Sequence, residues 1–129
     1  MEFSGLRWRY RIRNSVVDVD NAIGRGGWSQ ERLIVNGEPL YAGGGLLRFF
    51  VRTFEEPWLT EQGETLLKVR MWPGLTVIKC RLTVGGESVP SDEMFSAEWQ
   101  GPRGHWPDEG VWRREAMIGG GYPTHPRGG

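Results

Sequence analysis

RLIVNGEPL (residues 32–40) and RLTVGGESV (residues 81–89) are two versions of one motif, 49 residues apart in the chain. Five of the nine positions are identical. Each version is typical of a β-strand, a two-residue turn and a second strand, because Asn36-Gly37 and Gly85-Gly86 both suit the positive φ angles of a type I′ turn. The repeat therefore predicts two related β units that pack on each other.

Alternating side chains predict further strands around the motif. In residues 6–13, apolar residues at even positions alternate with arginines at odd positions, which is the period of a half-buried strand. No segment before residue 90 keeps a helical period, so the predicted fold is all-β, an antiparallel β-sandwich of about eight strands. The remaining strands are predicted at 16–19, 30–35, 38–41, 46–54, 64–71, 76–84 and 87–90, with loops at 20–29 and 55–63.

The composition changes after residue 90, where tryptophan, glycine and proline become frequent. We therefore expect a β-sandwich domain at 1–90 and an irregular C-terminal extension at 91–129 that is partly disordered. Within the extension, short helices are predicted at 92–99 and 109–117, and the chain from residue 119 onward is expected to be mobile.

The overall charge and the cysteine content exclude some classes of protein. Sixteen basic and sixteen acidic residues give a net charge of zero, which does not indicate a globally basic nucleic-acid binder. A single cysteine, Cys80, forms no disulfide within the chain, and no signal peptide is visible, so a cytoplasmic setting is predicted. No apolar run has the length of a membrane span.

The doubled hairpin resembles the β-sandwich domain of the Fas apoptotic inhibitory molecule family. The matching stretches are residues 8–10, 33–37 and 80–89, and the similarity covers roughly residues 6–90. In that family two short β units stack as an eight-stranded antiparallel sandwich. The family is not enzymatic and its members act through protein contacts, so the resemblance implies a binding module.

No catalytic, metal or cofactor site is predicted. His105 and His125 have no partner at metal-ligand spacing, and one cysteine cannot complete a zinc site. Cys80 falls on the apolar face of a predicted strand, whereas a reactive thiol needs exposure and a nearby cation. The chain is therefore predicted not to be an enzyme, with an enzyme of unrecognised type left as an alternative.

Basic side chains at outward strand positions predict a cationic sheet face. If the strands are neighbours in one sheet, such a face is expected to bind an anionic partner: an acidic protein, a nucleic acid or an anionic lipid head. The alternative is that long arginine side chains simply cover the wet side of a sheet and discourage edge aggregation. The predicted binding residues are Arg7, Arg9, Arg11, Arg13, Lys68, Arg70, Lys79 and Arg81, and Arg48 and Arg52 take similar outward positions.

The tryptophan segment (residues 99–112) is the second predicted binding surface. It contains Trp99, Trp106 and Trp112, and tryptophan is enriched at interface hot spots. The alternative is that the segment folds back and caps the open edge of the sandwich. The leading hypothesis is a non-catalytic module for protein–protein interaction, the alternative is a nucleic-acid-binding module, and a homodimer is left open.

Overall fold

The computed structural model describes residues 1–47, 51–74, 78–118 and 122–123. Within these residues the chain forms β-strands and two short 3₁₀ turns, and the prediction of an all-β antiparallel fold is confirmed. The strands are β1 (Glu2–Ile12), β2 (Ser15–Gly24), β3 (Trp28–Val35), β4 (Glu38–Leu46), β5 (Arg52–Thr60), β6 (Gly63–Pro73), β7 (Ile78–Val84), β8 (Glu87–Val89), β9 (Glu93–Gln100), β10 (Arg113–Glu115), β11 (Met117–Ile118) and β12 (Tyr122–Pro123).

The first sheet has six strands in the order β10-β9-β1-β2-β3-β4. Strands β1 to β4 follow one another as an antiparallel meander, and β9 pairs with the other edge of β1. Leu6, Trp8 and Tyr10 lie on one side of β1 and are almost fully buried. The alternation of residues 6–13 therefore places large apolar side chains in a core, as predicted.

The second sheet is a four-stranded meander in the order β5-β6-β7-β8. Leu67, Val69 and Met71 alternate along β6 with exposed Lys68 and Arg70, so one side of this sheet is buried and the other is wet. This is the pattern that a half-buried antiparallel sheet requires.

The two sheets belong to two compact units of the chain. One unit comprises Met1–Arg48 together with Ser91–Gly129, and the other comprises Phe49–Pro90. The chain after residue 90 therefore adds strands to the first sheet, while the predicted domain boundary at that residue stays a prediction.

Both copies of the repeated motif form hairpins with the predicted turn. Asn36 and Gly37 have φ angles of 50° and 83°, and Gly85 and Gly86 have 56° and 90°. Both central residues are positive in each turn, as type I′ demands. One hairpin, β3–β4, lies in the first sheet, and the other, β7–β8, lies in the second.

Several predicted boundaries are wrong. Residues 20–24 continue β2 instead of forming a loop, and residues 55–60 continue β5, where Pro57 is tolerated because β5 is an edge strand. The predicted helix at 92–99 is strand β9, since β1 offers it a continuous edge. The predicted helix at 109–117 is a 3₁₀ turn followed by β10. The mobility expected from residue 119 onward concerns residues that, apart from β12, lie outside the described residues.

Candidate binding surfaces

A buried carboxylate joins three strands of the first sheet. Asp20 on β2 lies opposite Arg7 on β1 and opposite Arg32 on β3. Arg7 donates from Nε and Nη2 to the two carboxylate oxygens at 2.7 and 2.9 Å, and Arg32 donates from Nε at 2.7 Å. Asp20 is fully buried and Arg7 is only 2% exposed. The predicted outward position of Arg7 is wrong, because this side of the sheet is covered.

The other arginines of the predicted β1 row also have acidic partners or leave the strand. Arg9 donates from Nε and Nη2 to Asp18 at 2.8 and 3.1 Å. Arg11 forms an ion pair with Glu93 on β9. Arg13 lies in the turn after β1, where its φ of 57° puts it outside the strand. We name the side of the first sheet that carries Arg7, Arg9, Asp18, Asp20 and Arg32 the arginine face.

Burial and pairing shift the pKa values of this face. Burial lowers the pKa of Arg7, but the hydrogen bonds and charge of Asp20, with help from Glu109, outweigh it and leave the pKa raised. Burial raises the pKa of the Asp20 carboxyl, against the opposing effect of Arg7 and Arg32. The hydrogen bond from Arg11 lowers the pKa of Glu93. The guanidinium groups of Arg7, Arg9 and Arg32 are thus held in ion pairs with carboxylates of the same chain.

The tryptophan segment lies on the arginine face. The guanidinium carbon of Arg7 is 4.5 Å from the ring centroid of Trp112, and that of Arg32 is 4.5 Å from the ring centroid of Trp106. Glu109 of the segment accepts a hydrogen bond from Arg7 at 3.1 Å. At the start of the segment, Trp99 on β9 stacks on Phe3 at 5.3 Å. The segment thus folds back onto its own sheet, but it covers a face of that sheet and not only an open edge, as the alternative expected.

A buried glutamine fixes the backbone of the segment. Gln30 on β3 is 1% exposed, donates to the carbonyl of His105 at 2.8 Å and accepts from the N–H of Gly104 at 2.9 Å. Gly5 on β1 makes room for the rings, because a Cβ there would lie 2.6 Å from Trp99 and 3.2 Å from Trp112. Side chains of the sheet and backbone of the segment therefore fit each other closely.

The wet side of the second sheet remains open to solvent. Arg70 on β6 lies opposite Arg81 on β7, and both are exposed. Each guanidinium carbon is 5.7 Å from the ring centroid of Trp72, which stands two residues after Arg70 on the same side of β6. Among the described residues, neither arginine forms an ion pair with a carboxylate. We name this side, with Lys68, Arg70, Trp72, Lys79 and Arg81, the Arg70 face.

Apolar side chains extend the Arg70 face toward the β5–β6 turn. Leu59 is 79% exposed and Leu66 is 44% exposed. Leu66 lies opposite the exposed Pro57, and the alternation of both strands puts all three on the side of Lys68. Between the apolar and cationic ends, Lys68 faces Glu55 at a loose 3.9 Å. The face is therefore cationic and aromatic at one end and aliphatic at the other.

The predicted cationic face is divided between two sheets. Lys68, Arg70, Lys79 and Arg81 do come together, whereas Arg7, Arg9 and Arg11 belong to the first sheet. Arg52 on β5 is buried and lies opposite Met71 of β6, on the other side of the sheet from the Arg70 face. Arg48 lies outside the described residues.

Sequence reasoning missed Asp18, Asp20 and Trp72. Asp18 falls in the predicted strand 16–19 and Asp20 in the predicted loop 20–29, but both stand on β2, where they face arginines. Their spacing of two residues, next to a strand of alternating arginines, was the available signal for a cross-strand ladder. Trp72 lies just beyond the predicted strand 64–71, but it belongs to β6.

Comparison with protein-family models, with curated protein sequences and with solved structures finds no match for this chain. The described residues contain no cluster of three or more side chains suited to hold a metal ion. They also contain no helix with the length and hydropathy needed to cross a membrane.

Proposed function

We propose that this protein is a non-catalytic binding module that contacts a partner protein through the Arg70 face. One observation supports this most: the Arg70 face combines the exposed apolar side chains of Leu59 and Leu66 with the cations Arg70 and Arg81, which have no described carboxylate partner. Protein interfaces join an apolar centre with aromatic and arginine anchors. The arginine face offers no comparable surface, since its charges are paired and covered.

Two features of the sequence agree with this proposal. The resemblance to the Fas apoptotic inhibitory molecule family rests on the doubled hairpin, and we propose it as a relationship that implies action through protein contacts. The single cysteine, Cys80, excludes a disulfide within the chain, which favours a reducing compartment such as the cytoplasm.

A selection of peptides from a random library on the immobilised protein tests the proposed function. We expect enriched peptides that bind the wild-type protein and lose about tenfold or more in affinity, roughly 1.4 kcal/mol, when Arg70→Glu and Arg81→Glu are combined. The matched control combines Arg25→Glu with Arg113→Glu, which changes the net charge equally at exposed arginines of the other unit. Absence of enriched peptides, or peptides that bind both variants equally, contradicts the proposal.

A nucleic-acid-binding module is the second candidate, and the position of Trp72 favours it. A tryptophan ring beside two arginines on a sheet face is an arrangement on which single-stranded bases stack. Titration with a labelled oligothymidine at low and at physiological salt tests this candidate. Binding that weakens steeply with salt and is lost on Trp72→Ala supports nucleic acid as the ligand. No binding at low salt removes this candidate.

A further inference from the structure

The repeated hairpin allows positions in the two sheets to be matched. Val35 and Val84 each end the strand before the two-residue turn, and they lie opposite Val17 and Leu67 respectively. Three residues further from the turn, Asp20 faces Arg32 in the first sheet. At the same place in the second sheet, Arg70 faces Arg81. The Arg70 face is therefore the counterpart of the arginine face.

The first sheet shows what covers such a face. The tryptophan segment places the ring of Trp106 against Arg32 and the ring of Trp112 against Arg7, and it supplies the carboxylate of Glu109 to Arg7. With Asp20 and the more distant Asp18 in the sheet and Glu109 in the segment, the two guanidinium groups meet three carboxylates. A covering segment thus contributes aromatic rings and negative charge.

The second sheet presents the same face without such a segment among the described residues. Arg70 takes the place of Asp20, so two guanidinium groups face each other across β6 and β7 with no described carboxylate between them. Like charges directly opposite each other destabilise a sheet. Trp72 is the ring that lies near both, at 5.7 Å, where the first sheet has Ala22. Neutralising this face requires about two carboxylates from outside.

We propose that the Arg70 face binds an extended segment of a partner protein that carries a tryptophan and two neighbouring carboxylates. This inference rests on the proposed function and names the chemistry of the partner. The partner segment is the counterpart, in another protein, of the tryptophan segment on the first sheet. Its carboxylates pair with Arg70 and Arg81, and its ring packs beside Trp72.

A synthetic peptide with the sequence of residues 104–112 is a suitable probe, because it contains Trp106, Asp108, Glu109 and Trp112. The full ¹⁵N-labelled chain is titrated with this peptide and observed by NMR. In one control peptide alanine replaces both tryptophans. In the other, asparagine replaces Asp108 and glutamine replaces Glu109. We expect amide shifts at β6 and β7 around Arg70 and Arg81, with affinities about tenfold weaker for each control peptide.

The variants separate binding from folding. Arg70→Glu with Arg81→Glu should abolish the shifts, and the neutral pair Arg70→Gln with Arg81→Gln should weaken binding while the spectrum of a folded protein is kept. The Arg25→Glu with Arg113→Glu control should bind as the wild type does. If the amides of the Arg70 face do not shift, or if all three peptides bind with equal affinity, the proposal is overturned.

Two further outcomes also overturn it. Shifts confined to Gln30 and Arg32 would mean that the peptide replaces the tryptophan segment on the first sheet. Concentration-dependent shifts at the Arg70 face without peptide would make a second copy of the chain the occupant. If the peptide library yields ligands of the Arg70 face that lack tryptophan and acidic residues, this inference fails while the proposed function stands.

Discussion

Asp20 holds the arginine face together at the level of single residues. It is fully buried and receives three hydrogen bonds of 2.7 to 2.9 Å from the guanidinium groups of Arg7 and Arg32. A buried ion pair adds little net stability over apolar packing, but removal of one partner leaves an uncompensated buried charge. Removal of Asp20 should therefore lower the free energy of unfolding by much more than the ion pair contributes to it in the folded protein.

Asp20→Asn should lower the free energy of unfolding by about 3–5 kcal/mol. The amide keeps the shape of the side chain but leaves Arg7, itself 2% exposed, beside a neutral group. Urea unfolding followed by tryptophan fluorescence measures the change. Glu38→Gln, at an exposed position of β4, is the control and should change little. A loss below about 1 kcal/mol for Asp20→Asn would show that Glu109 and Asp18 suffice to compensate the buried charge of Arg7.

Glu93 gives the arginine face a defined response to acid. The hydrogen bond from Arg11 lowers its pKa from the ordinary value of 4.5, with a smaller contribution from Arg114. A carboxyl whose pKa is lowered by folding stabilises the fold above pH 4.5, and this contribution is lost as the pH falls through the lowered pKa. Protonation of Glu93 should therefore weaken the contact between β1 and β9, and only in acid.

Arg11→Gln should raise the pKa of Glu93 back toward 4.5, because the main hydrogen-bond donor is removed. A side-chain carboxyl NMR titration measures the midpoint directly. Arg114→Gln is the matched comparison and should give a smaller upward change. An unchanged Glu93 midpoint in Arg11→Gln would mean that this ion pair does not persist in solution.

At the scale of elements, the contact between β1 and the tryptophan segment depends on one glycine. A Cβ at Gly5 would lie 2.6 Å from the ring of Trp99, a distance that forces the ring or the strand to move. Gly5 has no positive φ, so its role is close approach and not turn geometry.

Gly5→Ala should destabilise the fold by about 1–3 kcal/mol through overpacking. It should also change the tryptophan emission, because Trp99 and Trp112 are the rings that a methyl group displaces. Gly110→Ala is the control, since nothing lies within 4 Å of a Cβ at that position. Equal stability of the two variants would contradict the close fit of the segment on β1.

Elements with a local signal were predictable from the sequence, and those without one were not. The two hairpins followed from Asn36-Gly37 and Gly85-Gly86, whose φ requirement is a property of the turn itself. Strand β9 was missed because its strand state depends on the edge of β1, some ninety residues earlier. The Arg70 face was partly predicted, since the alternation of β6 and β7 shows which residues share a side.

The exposure of the arginine face was predicted wrongly. Alternation along a strand shows which residues share a side, but it does not show whether another segment covers that side. Arg7 and Arg9 alternate with apolar residues as wet-face residues do, yet Asp20 and Trp112 cover Arg7, and Asp18 pairs with Arg9. No local pattern of residues 6–13 reports a segment that arrives from residues 99–112. Pairing across such a distance in sequence is a tertiary property.

At the scale of the whole molecule, protection of the backbone should follow strand position in each sheet. β2 and β6 are interior strands with neighbours on both sides, whereas β4, β10, β5 and β8 are edge strands. Six successive residues of β2, Val17–Ala22, are buried, so both of its faces are dry.

Hydrogen exchange should therefore be slowest in β2 within the first unit and slowest in β6 within the second. Amides of β10 and β8, which are three-residue edge strands, should exchange much faster than these. Exchange measured by NMR at several pH values resolves the individual amides. Protection of β10 equal to that of β2 would contradict the order of strands in the first sheet.

Asp20 in the first sheet and Arg70 in the second stand at matched positions, yet they tolerate mutation differently. A change at Asp20 or Arg7 alters a buried network, so its effect on folding is inseparable from any other effect. A change at Arg70 or Arg81 touches exposed groups and leaves the core alone. The two matched positions therefore respond differently to substitution: at the first a change alters the stability of the fold, whereas at the second it alters an exposed surface and leaves the core intact.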